Sequence, residues 1–111
     1  MSGPVEVSVT ELAAAAAEGP VVVDVREPEE YVRGHIPNAI LMPLATVPVR
    51  YSELPRDEPL YFVCAVGARS MQAVRFLAQL GFDARNVAGG THDWMAAGMP
   101  VETGLPSNDL D

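Results

Sequence analysis

Two short runs constrain the fold more than any other part of the chain. Val21-Val22-Val23-Asp24-Val25 is β-branched but for Asp24, and Leu60-Tyr61-Phe62-Val63 is aliphatic or aromatic throughout, so both are almost free of polar side chains. A strand that alternates apolar with polar residues is solvated on one face, whereas a strand that is apolar throughout is buried on both. Helical patterns separate and follow these runs. Ser8-Val9-Thr10-Glu11 has the Ser-x-x-Glu form of a capping box and predicts a helix through Ala17, stopped by Gly19-Pro20. Glu27-Pro28 opens a short helix to about Arg33, with proline in its first turn. Residues 71–80 predict a helix with a polar stripe of Gln72, Arg75 and Gln79; the rest, including Val74, Phe76 and Leu77, is expected to be buried. Residues 5–7, 39–42 and 84–87 are further candidate strands, and 91–97 a last helix. Pro48 interrupts the helical pattern of 44–54. Strands alternating with helices indicate the α/β class and a largely parallel sheet.

At 111 residues the chain is one domain with room for a hydrophobic core. The tail is polar and is expected to be flexible. The formal charge is −8, and all seven basic residues are arginines. Such a surface argues against nucleic acid and against anionic membranes, and an anionic substrate needs a locally positive pocket. No apolar run reaches transmembrane length. Acidic residues precede the run from Ala13 to Ala17, which therefore lacks the basic start of a signal peptide. A cytoplasmic protein is expected.

The second apolar run delivers the only cysteine, Cys64, to the loop Ala65-Val66-Gly67-Ala68-Arg69-Ser70, where a helix begins. In parallel sheets ligands bind beyond the carboxyl ends of strands, which is where Cys64 falls. One cysteine allows no internal disulfide and no CxxC motif. A free cysteine with pKa about 8.5 is only about 3% thiolate at neutral pH, and a helix N-terminus lowers that pKa by roughly two units. Gly67 permits a tight turn, Ser70 is a candidate N-cap, and Arg69 brings a permanent cation. The plain alternative is a small buried hydrophobe at a strand end. Arg69 has two candidate roles: binding an anionic donor, or pairing with a carboxylate to brace the loop. Asp24 and Arg26 lie near the same face, where a structural ion pair, Arg26 with Glu30, is the leading role and substrate contact the lesser one. The glutamates Glu27, Glu29 and Glu30 read as a solvated helix start. His35 reads as a backbone-bonded structural residue, His92 as a hydrogen-bonding group near the last helix, and Trp94 as a core anchor. The spacing of the two histidines and the cysteine fits no zinc motif, and no cofactor is expected.

Four ordered stretches carry a family resemblance. Asp24-Val25-Arg26-Glu27-Pro28-Glu29-Glu30-Tyr31 resembles a D-x-R…E-[FY] signature. Gly34-His35-Ile36-Pro37-Asn38-Ala39 is similar to a G-H-I-P-x-A turn, and Cys64 to Ser70 to a C-x-x-G-x-R-S loop. Gly89-Gly90-Thr91-His92-Asp93-Trp94 and Gly98-Met99-Pro100-Val101 resemble a closing G-G-x-x-x-W and G-x-P-V. Together they resemble the single-domain rhodanese-like sulfurtransferases, across residues 5–104. The resemblance implies a rhodanese-like domain over 1–104 with a tail at 105–111. It also implies a five-stranded, mostly parallel sheet with helices on both faces. The implied activity moves sulfur from a thiosulfate-like donor to cyanide, a thiol or a sulfur-accepting protein through a persulfide on Cys64, without a histidine base. Alternatives are a non-enzymatic binding or redox-sensing module and, less favoured, a cysteine phosphatase or arsenate reductase. Four residues separate Cys64 from Arg69, whereas the phosphatase motif has five.

Overall fold

A computed structural model of the protein describes residues 5–106. Among the described residues there are five strands: β1 (Val5–Val7), β2 (Val21–Asp24), β3 (Ile40–Leu41), β4 (Leu60–Val63) and β5 (Ala84–Val87). The helices are α1 (Val9–Ala14), α2 (Pro28–Arg33), α3 (Val47–Arg50), α4 (Ala68–Gln79) and α5 (Gly90–Ala96). The five strands pair in parallel, in the order β1-β5-β4-β2-β3, and an isolated antiparallel bridge joins His35 to Glu102. The two apolar runs, β2 and β4, lie side by side inside the sheet, paired Val21 to Leu60 through Asp24 to Val63.

The twofold periodicity of a strand divides the core in two. Val23, Val25, Leu60, Phe62 and Ala84 face α3 and α4, where they meet Val47, Ala73, Val74 and Leu77. Val22, Val63 and Val87 face the other way and pack on Val9, Leu12, Tyr31 and Trp94 from α1, α2 and α5. Helices therefore cover both faces. Among the described residues, no helix is long and apolar enough to cross a membrane.

The expected elements are present, with physically explicable differences. The Ser8–Glu11 capping box forms in full. Helix α1 stops at Ala14, and a 3₁₀ turn, Ala16–Glu18, replaces its expected last turn before Gly19. Pro48 initiates rather than interrupts: it sits in the first turn of α3, where the missing N–H has no partner to lose. Strand β3 is shorter than residues 39–42, though the amides of Met42 and Leu44 continue to bond Asp24 and Val25 carbonyls. Phe76 is 36% exposed rather than buried, lying edge-on to Tyr51 over the rim of the core. Residues 107–111 of the expected tail lie outside the described residues.

Candidate active site

Cys64 directly follows β4 and continues its parity. Leu60, Phe62 and Cys64 point to the same face, so the thiol is aimed at the start of α4. Gly67, at φ 110°, turns the chain within three residues and caps α4. The result is a set of donors around sulfur. The Gly67 amide lies 3.1 Å from Cys64 Sγ, the Ser70 amide 3.3 Å and the Ser70 hydroxyl 3.4 Å. Burial by itself pushes the Cys64 pKa up. The Ser70 hydroxyl and the amides of Ser70, Gly67 and Val66 outweigh burial and hold it below the ordinary thiol value. The dipole of the 12-residue α4 acts in the same sense.

The far side of the loop is held by α5. Thr91 N and Oγ1 both donate to the Cys64 carbonyl, at 2.9 and 3.3 Å, and His92 N donates to the Ala65 carbonyl at 3.0 Å. That approach requires Gly90: a Cβ there would collide with the Cys64 and Ala65 carbonyl oxygens. Val66 is exposed at the loop's tip, Ala65 is half-buried and Ala68 is exposed.

Ser70 is not the N-cap. Gly67 takes that place, and Ser70, fully buried one turn in, uses its hydroxyl on Cys64 and on Asn86. Arg69 pairs with Glu30 of α2 through two parallel bonds of 2.8 and 2.9 Å. That guanidinium pulls the Glu30 carboxyl down to about 2, against a smaller opposing effect of burial, and Arg69 is raised in turn. The expected Arg26–Glu30 pair is therefore corrected. Arg26 folds back along its own strand face onto Asp24, Nε to Oδ1 at 3.0 Å and a terminal nitrogen to Oδ2 at 2.8 Å. The same guanidinium donates to the Gly34 carbonyl at 2.8 Å, so the Asp24–Arg26 pair is tied to the start of the 34–39 turn.

His35 stacks on Tyr31, with ring centroids 3.6 Å apart, and places Nδ1 2.8 Å from the Tyr31 carbonyl, which makes it structural. His92 is exposed and serves the loop through its backbone. Trp94 is buried, with Nε1 donating to the Pro100 carbonyl. Sequence reasoning missed Asn86, Glu30 as the partner of Arg69, and the Thr91 clamp. Parity was the available signal for Asn86, a polar residue that shares a sheet face with Ala84 and Cys64.

A sequence model of the rhodanese-like domain matches residues 8–97. The chain belongs to the rhodanese-like family. The rhodanese-like chain is 39% identical to a sulfurtransferase of Allochromatium vinosum over 78% of this chain and 82% of that protein. It is 35% identical to a thiosulfate sulfurtransferase of Pseudoalteromonas translucida over 72% of this chain and 77% of the relative. The crystal structure of a rhodanese-related protein from Thermoplasma volcanium superposes with TM-score 0.83 at 36% identity, covering 87% of this chain and 96% of that one. These relatives support sulfurtransferase activity for this rhodanese-like protein.

Proposed function

We propose that the protein moves a sulfane sulfur from a thiosulfate-like donor to a thiophilic acceptor, cyanide or a thiol, through a persulfide on Cys64. The convergence of amide donors on Cys64 Sγ carries this reading. A thiolate held there attacks the outer sulfur of the donor. The new S–S bond forms, the sulfur–sulfonate bond breaks, and sulfite departs with the electron pair. The acceptor then attacks the outer sulfur, and Cys64 leaves as a thiolate. Donors from Gly67 and Ser70 stabilise the anion before and after.

The donor chemistry follows from Arg69. Its two-bond pair with Glu30 opposes use of its charge on a sulfonate. Thiosulfate is therefore expected to bind modestly, and persulfides on thiols or on a sulfur-carrying protein are expected to serve as well. A Michaelis constant for thiosulfate well below the usual range of about 1 μM to 1 mM would contradict this. The same pairing disfavours phosphate, whose equatorial oxygens need a committed arginine.

Mass spectrometry of the intact protein after thiosulfate treatment is the direct test. Wild type should gain one sulfur, lose it to cyanide with release of thiocyanate, and Cys64→Ser should gain none. An unmodified wild type that hydrolyses an aryl phosphate would replace this reading with a phosphatase. An unmodified and inactive wild type would replace it with a binding module.

A further inference from the structure

Hydrogen bonding alone fixes the orientation of the Asn86 carboxamide. Its Nδ2 donates to Glu6 Oε2 at 3.0 Å and to the Gly67 carbonyl at 3.2 Å. Both partners accept, so the nitrogen faces them and Oδ1 faces Ser70. Ser70 Oγ lies 2.6 Å from that Oδ1. An amide oxygen only accepts, so this contact uses the hydroxyl proton. The same Oγ lies 3.4 Å from Cys64 Sγ. The hydroxyl has one proton, and once sulfur is a thiolate both Sγ and Asn86 Oδ1 claim it.

While sulfur is a thiol there is no conflict: the hydroxyl proton can stay on Asn86, because an S–H carries its own proton toward Oγ. Ionisation removes the S–H link. Either the hydroxyl keeps facing Asn86 and sets a lone pair against an anion, or it turns to sulfur. Turning leaves the Oδ1 of a side chain that is 1% exposed without its donor, a cost for any buried polar atom.

We propose that Asn86 is a positioning residue for the sulfur chemistry: it holds the Ser70 proton away from Cys64 in the thiol and surrenders it to the thiolate. Ionising the sulfur thus always breaks one buried hydrogen bond. The consequence for catalysis rests on the sulfur-transfer reading. A thiolate stabilised at a cost stays more basic, and so more nucleophilic, than the loop donors alone would leave it. Once Sγ is bonded to a second sulfur it carries no formal charge, and the hydroxyl returns to Asn86. The pairing therefore favours the loaded state over the bare anion. The nearby arginines do not account for such an effect, because each is already paired with a carboxylate. Arg69 is paired with Glu30 and Arg26 with Asp24, while Glu6 lies behind the Asn86 nitrogen.

The test is the pH midpoint of iodoacetamide alkylation at the single cysteine, read by intact mass. Asn86→Ala frees the Ser70 hydroxyl for the thiolate and should move the midpoint about half a pH unit toward acid. In a Ser70→Ala background the same substitution should leave the midpoint unchanged. Mere support of the loop predicts the reverse, a move toward base whether or not Ser70 is present, and that outcome overturns the proposal. If Asn86→Ala does not fold, wild type still decides. The Asn86 side-chain carbonyl carbon resonance should titrate with the alkylation midpoint; a resonance indifferent to it overturns the proposal. No sulfur donor enters either measurement, so a protein that takes no sulfur from thiosulfate fails the sulfur-transfer reading without touching this one.

Discussion

Gly90 has no side chain, and the Cys64 loop depends on that. Its φ of 56° lies in the left-handed region, and the space where a Cβ would stand is filled by the carbonyls of Cys64 and Ala65. Those carbonyls cannot retreat, because Thr91 and His92 amides hold them at 2.9 and 3.0 Å. An alanine here combines backbone strain with a clash against backbone atoms. Gly90→Ala should cost about 2–4 kcal/mol in urea unfolding. It should also slow thiosulfate loading at least as much as it slows alkylation, because it shifts the Cys64 backbone and with it the aim of Sγ. Loading that survives with full stability would show that α5 does not shape the loop. At this scale the sequence is a partial guide. The Gly89-Gly90 pair was recognisable as part of a pattern, but its purpose is a close approach between segments 25 residues apart, which no local rule records.

Helices α2 and α4 come from distant parts of the chain and are tied together by the Glu30–Arg69 pair above the sheet's carboxyl edge. Glu30 also accepts from the Glu27 amide at 3.0 Å, so one carboxylate closes its own helix and pairs with the arginine that follows the Cys64 loop. Glu30→Gln keeps an acceptor for Glu27 and releases Arg69. The freed guanidinium should lower the Michaelis constant for thiosulfate several-fold, and Arg69→Ala should raise it while the fold is retained. Identical constants in both variants would remove Arg69 from donor binding. Both substitutions should cost about 1 kcal/mol, since the pair is partly exposed and screened by solvent. The pH dependence follows from the depressed carboxyl. Its folded pKa of about 2 lies below the unfolded value of 4.5, so the contribution is complete above about pH 4.5 and is lost as pH falls through 2. Acid unfolding of wild type and Glu30→Gln should therefore converge at the low end of that window. Much of this level was legible. Apolar runs marked β2 and β4, and Gly81 marked the end of α4, whereas α1 gave way to a 3₁₀ turn before the Gly19 stop. Partner choice was not, because Arg26 had two carboxylates within reach in sequence, and only the strand's parity selects Asp24 over Glu30.

The whole molecule carries a formal charge of −8 on a body with a radius of gyration of 12.9 Å. The site does little to offset it, because both Arg26 and Arg69 face carboxylate partners at 2.8 Å. A dianion such as thiosulfate approaches against this field. Treating the charge as spread over a sphere, the repulsion at contact is about 3 kcal/mol at 0.01 M salt and about 2 kcal/mol at 0.1 M, where the screening length falls from about 30 to about 10 Å. Relief of roughly 1 kcal/mol corresponds to about a fivefold faster encounter. The loading rate with thiosulfate should thus rise about fivefold over that range, opposite to the response of a site that attracts its donor. Loading from an uncharged organic trisulfide should scarcely respond, since it does no work against the field. Stopped reactions weighed by mass spectrometry at several salt concentrations would give both rates. A thiosulfate rate that falls with salt would mean that the local field at Cys64 is positive despite the surrounding charge, and that Arg69 leaves Glu30 to meet the donor.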